Sequence, residues 1–118
     1  MKYQFTLELS EDEIEDFELA GKNVMQVQIQ LPNGKIVSSE AINNYCVILK
    51  MSPDAKIGFA KELIRSAIKG DKDHFEEINP VDKDSMCQYH GVFLHPQSCN
   101  VLISTDDFGE VENTLTKK

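Results

Sequence analysis

The sequence is poor in basic residues and has no long apolar run, and both shortages restrict what the protein can do. It contains 12 lysine and arginine residues against 20 aspartate and glutamate residues, a formal net charge of −8. A surface this negative repels phosphate backbones and anionic lipid, so nucleic-acid binding is not expected. The longest apolar run, residues 45–49, has the length of a strand and is too short to span a bilayer.

Cysteine is also scarce, and the chain carries Cys46, Cys87 and Cys99 at irregular spacing. An odd number of thiols suits a reducing compartment better than a disulfide framework, and we expect these cysteines to be small buried hydrophobic residues. The first eight residues alternate polar and apolar side chains and do not resemble a secretory signal. The expected location is therefore cytoplasmic.

The usual catalytic signatures are missing as well. The sequence has no glycine-flanked nucleophile elbow, no phosphate-binding glycine loop and no His-Glu helix motif. We therefore predict that the protein is not an enzyme, with no catalytic residues and no cofactor. A small hydrolase-type enzyme that uses His90 or His95 remains an alternative.

One arrangement has the residue types and intervals of a zinc site: Cys87 and His90, followed by His95 and Cys99. The strand-like residues 91–94 lie between the two pairs, and their pleat would carry the pairs apart. No metal site is therefore predicted.

The patterning of the 118 residues indicates a single domain, 1–118, that begins with several strands. Residues 2–9 and 25–31 alternate polar and apolar side chains, as half-buried strands do. Asn33 and Gly34 favour a tight two-residue turn, so residues 35–38 are expected to pair back on the preceding strand. Residues 45–51 are apolar on both faces and predict an interior strand.

A helix is predicted directly after that strand. Ser52 can cap its free amides, Pro53 suits its first position, and Gly70 can end it. Its apolar stripe is expected to face the core and comprises Ile57, Ala60, Leu63, Ile64, Ala67 and Ile68.

The remaining chain predicts a second hairpin. Residues 71–86 are expected to form a long connection, residues 91–94 and 100–104 to pair as strands, and residues 105–118 to be a polar tail. The predicted fold is therefore α+β: a mainly antiparallel sheet of about five to six strands with two hairpins, and one main amphipathic helix packed on it.

Acidic groups give the strongest functional signal. Residues 8–18 contain seven carboxylates, and two further groups lie at 71–84 and at 106–112. Their mutual repulsion favours a cationic partner. The predicted partner-binding residues are Glu11, Asp12, Glu13, Glu15, Asp16 and Glu18, with Phe17 as an aromatic anchor.

Residues 51–65, His74-Phe75, Pro80 and residues 91–96 resemble a family of small bacterial immunity proteins, and the resemblance covers roughly residues 50–103. Such proteins accompany polymorphic toxins, including those of contact-dependent growth inhibition. The resemblance implies a non-catalytic inhibitor that covers the active site or basic substrate surface of a cognate toxin domain, with a nuclease as the expected target. A ligand-sensing or self-associating module is a second alternative.

Overall fold

The computed structural model describes residues 2, 4, 6, 7, 9, 19–69, 75–84 and 91–115. In chain order the elements are a 3₁₀-helix Ile42–Asn44, helix α1 Pro53–Lys69, strand β1 Phe75–Ile78, strand β2 Val101–Ser104 and helix α2 Val111–Leu115. The chain divides into two compact units, one made of Met1–Gln26 with Phe108–Lys118 and the other of Val27–Asp107. None of the described helices combines the length and the apolar character that a membrane crossing requires.

The sheet contains β1 and β2, which pair antiparallel with Phe75 opposite Ser104 and Ile78 opposite Val101. The prediction of about five to six strands with the main helix packed on the sheet is wrong. The described residues form two strands, not five to six.

The predicted second hairpin is also wrong. Residues 100–104 do contain β2, but its partner is β1, which lies in the predicted connection 71–86. Residues 91–94 form no strand, and the carbonyl of Leu94 instead accepts a hydrogen bond from the N–H of Val81 at 3.1 Å.

The sequence of β1 explains why it was missed. Phe75 and Glu77 lie on one face of the strand, and Glu76 and Ile78 lie on the other. Each face therefore carries one apolar and one acidic residue, so the period-two alternation that signals a strand is absent. The cross-strand partners in β2 decide the pairing, and local composition gives no hint of it.

The first predicted reversal of the chain is present, but its turn is shifted by one residue. The N–H of Gly34 donates to the carbonyl of Leu31 at 2.9 Å, so Pro32 and Asn33 are the central turn residues. Proline fixes φ near the value that the first central position of a common turn requires. Gly34, with φ of 87°, then supplies the left-handed residue that closes a three-residue loop.

The two arms of this turn do not form strands. A single antiparallel bridge joins Gln30 to Ile36, and the N–H of Val37 donates to the carbonyl of Ile29 at 2.8 Å. Met25 remains 82% exposed. The strand predicted at residues 25–31 is thus reduced to one bridge. Of the strand predicted at residues 2–9, residues 3, 5 and 8 lie outside the described residues, and the described residues 2, 4, 6, 7 and 9 form no strand.

The interior strand predicted at residues 45–51 is absent. These residues follow the 3₁₀-helix as irregular chain, and Ile48 and Leu49 are 72% and 62% exposed. Branched apolar residues favour a strand only where a neighbouring strand offers its hydrogen-bonding edge. Both described strands pair with each other instead.

The predicted start of α1 is confirmed. The hydroxyl of Ser52 accepts the N–H of Ala55 at 3.1 Å, and the carbonyl of Ser52 accepts the N–H of Lys56 at 3.0 Å. Pro53 occupies the first helical position, where its missing N–H costs nothing. The helix ends at Lys69, as predicted, and Gly70 lies outside the described residues.

The face that α1 turns toward the rest of its unit is the opposite of the predicted one. Of the predicted inner residues, Ile57 and Ile68 are 58% and 49% exposed, and Ile64 alone is half-buried. Gly58, Phe59, Glu62 and Ser66, which share the other side of the helix, are half-buried.

The contact between Gly58 and Gly91 explains this orientation. A Cβ placed on Gly58 would lie 2.1 Å from the carbonyl oxygen of Gly91, and a Cβ on Gly91 would lie 2.1 Å from the carbonyl oxygen of Gly58. Gly91 also has φ of 76°, a conformation that side chains disfavour. The two backbones contact each other directly here. The side of α1 that carries Gly58, which has no side chain, therefore faces residue 91.

Among the described residues, the buried apolar side chains of the second unit are Val37, Ile78 and Val81, which are 9%, 4% and 6% exposed. Glu76 is buried with them at 6% exposure. The inner face of the sheet, which also carries Val101 and Ile103, therefore belongs to this small core.

Helix α2 belongs to the first unit and falls in the predicted polar tail, residues 105–118. The N–H groups of Val111 and Glu112 donate to the carbonyls of Gly21 and Leu19 at 2.7 and 3.0 Å. Helix amides at the first positions have no partner within the helix, so these two bonds tie the start of α2 to residues 19–21.

We expect the change Gly58→Ala to destabilise the protein by about 1–3 kcal/mol, because the new methyl group collides with backbone rather than with a flexible side chain. An ordinary glycine-to-alanine change inside a helix stabilises by about 1 kcal/mol, so the sign of the effect is diagnostic. Urea unfolding followed by circular dichroism measures it. Gly34→Ala is the control: no atom lies within 4 Å of its Cβ, so only the strain of its positive φ remains. A gain in stability for Gly58→Ala would contradict the contact.

We expect Ser52→Ala to lower the free energy of unfolding by about 1 kcal/mol, because the N–H of Ala55 loses its side-chain acceptor. The exposed Ser39, which lies outside any helix, provides the matched change Ser39→Ala with little expected effect. Equal stability of the two variants in urea would show that Ser52 does not cap α1.

Candidate functional site

The predicted partner-binding residues, Glu11, Asp12, Glu13, Glu15, Asp16, Phe17 and Glu18, lie outside the described residues. The nearest described position is Leu19, whose carbonyl accepts the N–H of Glu112 at the start of α2. The chain that leaves this acidic segment is thus attached to α2 within the first unit. The role of the segment in binding stays a prediction.

The predicted cysteine and histidine constellation is only partly described, because Cys87 and His90 lie outside the described residues. His95 is exposed, and its Nδ1 accepts the N–H of Gln97 at 3.0 Å. That bond occupies one ring nitrogen within a turn closed by the N–H of Ser98 and the carbonyl of His95. In the described part of the chain, no three His, Cys, Asp or Glu residues are grouped as metal ligands.

The expectation that the cysteines are buried is wrong for the two described ones. Cys46 and Cys99 are both exposed free thiols. Cys46 lies in the exposed residues 45–51, and Cys99 lies in the connection just before β2. Their burial was inferred from residue type alone. The interior strand that would have buried Cys46 is absent, and Cys99 lies in an exposed connection.

The second acidic group divides between two environments. Glu76 is buried on the inner face of β1, whereas Glu77 is exposed on the outer face. Asp82 and Asp84 are exposed in the turn after β1, where the N–H of Asp84 donates to Oδ1 of Asp82 at 2.8 Å. A group that looks uniform in sequence therefore presents only part of its charge to a partner.

The outer face of the sheet combines exposed apolar side chains with polar ones. Phe75 is 64% exposed and Leu102 is 58% exposed. Phe75 lies opposite Ser104, and Glu77 lies opposite Leu102. Phe75 and Leu102 are diagonal neighbours on the same face, and side chains at such positions lie within reach of each other.

A carboxylate is held at the end of this face. The hydroxyl of Ser104 donates to Oδ2 of Asp106 at 2.5 Å, which orients the carboxylate beside the last residue of β2. Two negative charges, Glu77 and Asp106, therefore border the apolar pair Phe75 and Leu102. We call Phe75, Glu77, Leu102, Ser104 and Asp106 together the anionic sheet face.

The anionic sheet face has the composition of a surface for a basic protein. A large aromatic side chain left in water is a ready anchor, because its burial on binding removes much apolar area from solvent. The bordering carboxylates attract a cationic partner and orient its approach. Sequence reasoning missed this face because it assigned residues 71–86 to a connection and did not pair them with residues 101–104.

Neither the family models, the curated proteins nor the solved structures compared with the chain gave a match.

Alanine substitution of Phe75 and of Ile78 compares the exposed face of β1 with its buried face. We expect Ile78→Ala to destabilise by about 2–5 kcal/mol, because Ile78 is 4% exposed and its removal leaves a cavity. Phe75→Ala is expected to cost less than about 1 kcal/mol, because most of its ring already contacts water. Chemical denaturation of both variants measures the difference. If Phe75→Ala were the more damaging change, the ring would be part of the core and not of a binding face.

Proposed function

We propose that the protein binds a basic protein partner through the anionic sheet face and inhibits it without catalysis. The partner that fits best is a toxin domain, and the protein would then act as an immunity protein. The observation that carries this proposal is Phe75, which is 64% exposed on the strand face that also carries Glu77, opposite Ser104, whose hydroxyl holds the carboxylate of Asp106. A resemblance to small bacterial immunity proteins over roughly residues 50–103 supports the same class of function.

The charge of the chain supports a cationic partner. With a formal net charge of −8, the protein attracts basic surfaces over a distance of about one Debye length, roughly 8–10 Å at physiological salt. A nuclease toxin needs a cationic surface to hold phosphate. Carboxylates placed on that surface compete with the substrate, so inhibition requires no chemical step.

The anionic sheet face is suited to this competition. Glu77 projects from a paired strand, and Asp106 is fixed by the Ser104 hydroxyl. Carboxylates held by strand pairing and by a hydrogen bond lose less conformational freedom on binding than carboxylates on a mobile loop. The predicted acidic residues Glu11 to Glu18, with Phe17, are a separate candidate for binding the same class of partner.

The proposal predicts that a large secreted protein is encoded directly upstream, and binding to the carboxyl-terminal domain of that protein tests it. We expect Phe75→Ala to weaken the complex about 30-fold, the effect of removing a central anchor worth about 2 kcal/mol. Glu77→Lys is expected to slow association and to flatten its dependence on salt, because an attractive charge becomes repulsive. Surface plasmon resonance at several salt concentrations measures both effects.

Matched controls exist on the same chain. Phe93 is 45% exposed outside the sheet, and Glu40 is exposed before the 3₁₀-helix, so Phe93→Ala and Glu40→Lys change the same residue types elsewhere. Both should bind as the unaltered protein does. The proposal fails if the upstream domain is not bound, or if the sheet variants and their controls lose affinity equally.

A further inference from the structure

We propose that α1 of one molecule docks on the anionic sheet face of a second copy of this chain, so that the protein self-associates in the absence of its partner. The stripe that would dock is the predicted inner face of α1, which the Gly58–Gly91 contact turns outward. Ile57, Leu63 and Ile68 on this stripe are 58%, 40% and 49% exposed. Ala60 and Ala67 between them are also exposed.

The basic residues beside the stripe favour binding to an acidic surface. Lys61 is exposed one helical turn from Ile57 and from Ile64, and Lys56 is exposed one turn from Ala60. The whole helix carries four basic residues, Lys56, Lys61, Arg65 and Lys69, and two acidic ones, Asp54 and Glu62. Its formal charge is therefore +2 in a protein whose net charge is −8, and Arg65 pairs with Glu62 within the helix.

The same molecule presents the complementary surface. Phe75 and Leu102 offer an exposed apolar pair, and Glu77 and Asp106 border it with negative charge. A helix stripe and a sheet face are each expected to be covered by another layer of structure. Within one molecule the outer face of the sheet stays exposed at Phe75 and Leu102, so a second copy is the occupant that brings the two faces together.

The dimensions of the two faces agree. The stripe from Ile57 to Ile68 is about 16 Å long at the rise of an α-helix, and each four-residue strand is about 13 Å long. One such contact is smaller than the roughly 1,600 Å² of a standard interface. Two-fold symmetry makes the contact twice, once in each direction, and doubles the buried area.

Self-association would cover the anionic sheet face. If that face also binds a toxin domain, which rests on the proposed function, the toxin and the second copy exclude each other. The free protein would then be stored with its apolar faces covered, and the complex would contain one protein molecule per toxin domain.

Sedimentation equilibrium of the full chain without any partner, from micromolar to millimolar concentration, tests the docking. We expect reversible association that both Ile57→Glu and Leu102→Glu weaken at least about tenfold, because each change buries a carboxylate in the contact. Leu49 is 62% exposed and belongs to neither α1 nor the sheet, so Leu49→Glu is the matched control and should associate normally. Circular dichroism establishes that the variants keep their secondary structure.

A mixture of the two variants provides the sharper result. Ile57→Glu retains an intact sheet face, and Leu102→Glu retains an intact α1 stripe, so the mixture should associate more strongly than either variant alone. Three results would overturn the proposal: a monomer at every concentration, association that Leu102→Glu leaves unchanged, or a mixture no stronger than its components. Because no toxin is present, these outcomes are independent of whether the proposed function holds.

Discussion

Gly58 and Gly91 approach each other through their backbones, at a point where a Cβ on either residue would lie 2.1 Å from the carbonyl oxygen of the other. This contact decides which side of α1 meets the rest of the unit. A helix normally turns its most apolar side inward. Here the side that carries Gly58, which has no side chain, is inward, so Ile57, Leu63 and Ile68 of the stripe are left in water. The surface chemistry of α1 follows from this one steric constraint.

The pairing of β1 with β2 has a comparable consequence on the sheet. Successive side chains of a strand point to opposite faces, so burial of Glu76 and Ile78 requires exposure of Phe75 and Glu77. The register then places Leu102 and Ser104 beside them, and Ser104 holds Asp106. An exposed aromatic ring next to two carboxylates is thus a product of the register. The apolar stripe of α1 has Lys56 and Lys61 beside it, and the anionic sheet face has Glu77 and Asp106 beside its apolar pair. The two surfaces are therefore complementary in charge, and each has apolar side chains at its centre.

Sequence patterns predicted the bounds of α1 and the position of β2, but not the extent of the sheet or the tertiary arrangement. The bounds of α1 were predictable because Ser52 and Pro53 act on the backbone beside them. The buried face of α1 was not, because it depends on Gly91, which lies more than thirty positions away in the sequence. The strand Phe75–Ile78 was missed because each of its faces carries one apolar and one acidic residue, so the sequence shows no polar–apolar alternation. The anionic sheet face was missed with it. The predicted site at Glu11 to Glu18 lies outside the described residues and stays a prediction.

Radical footprinting of the free and the partner-bound protein, read by mass spectrometry at single residues, tests the central claim that the anionic sheet face is the binding surface. In dilute free protein, we expect Phe75 to be oxidised faster than the half-buried Phe59. In the complex with the upstream toxin domain, oxidation of Phe75 and Leu102 should fall, and that of Phe93 should not change. Unaltered oxidation of Phe75 in a fully formed complex would contradict the account.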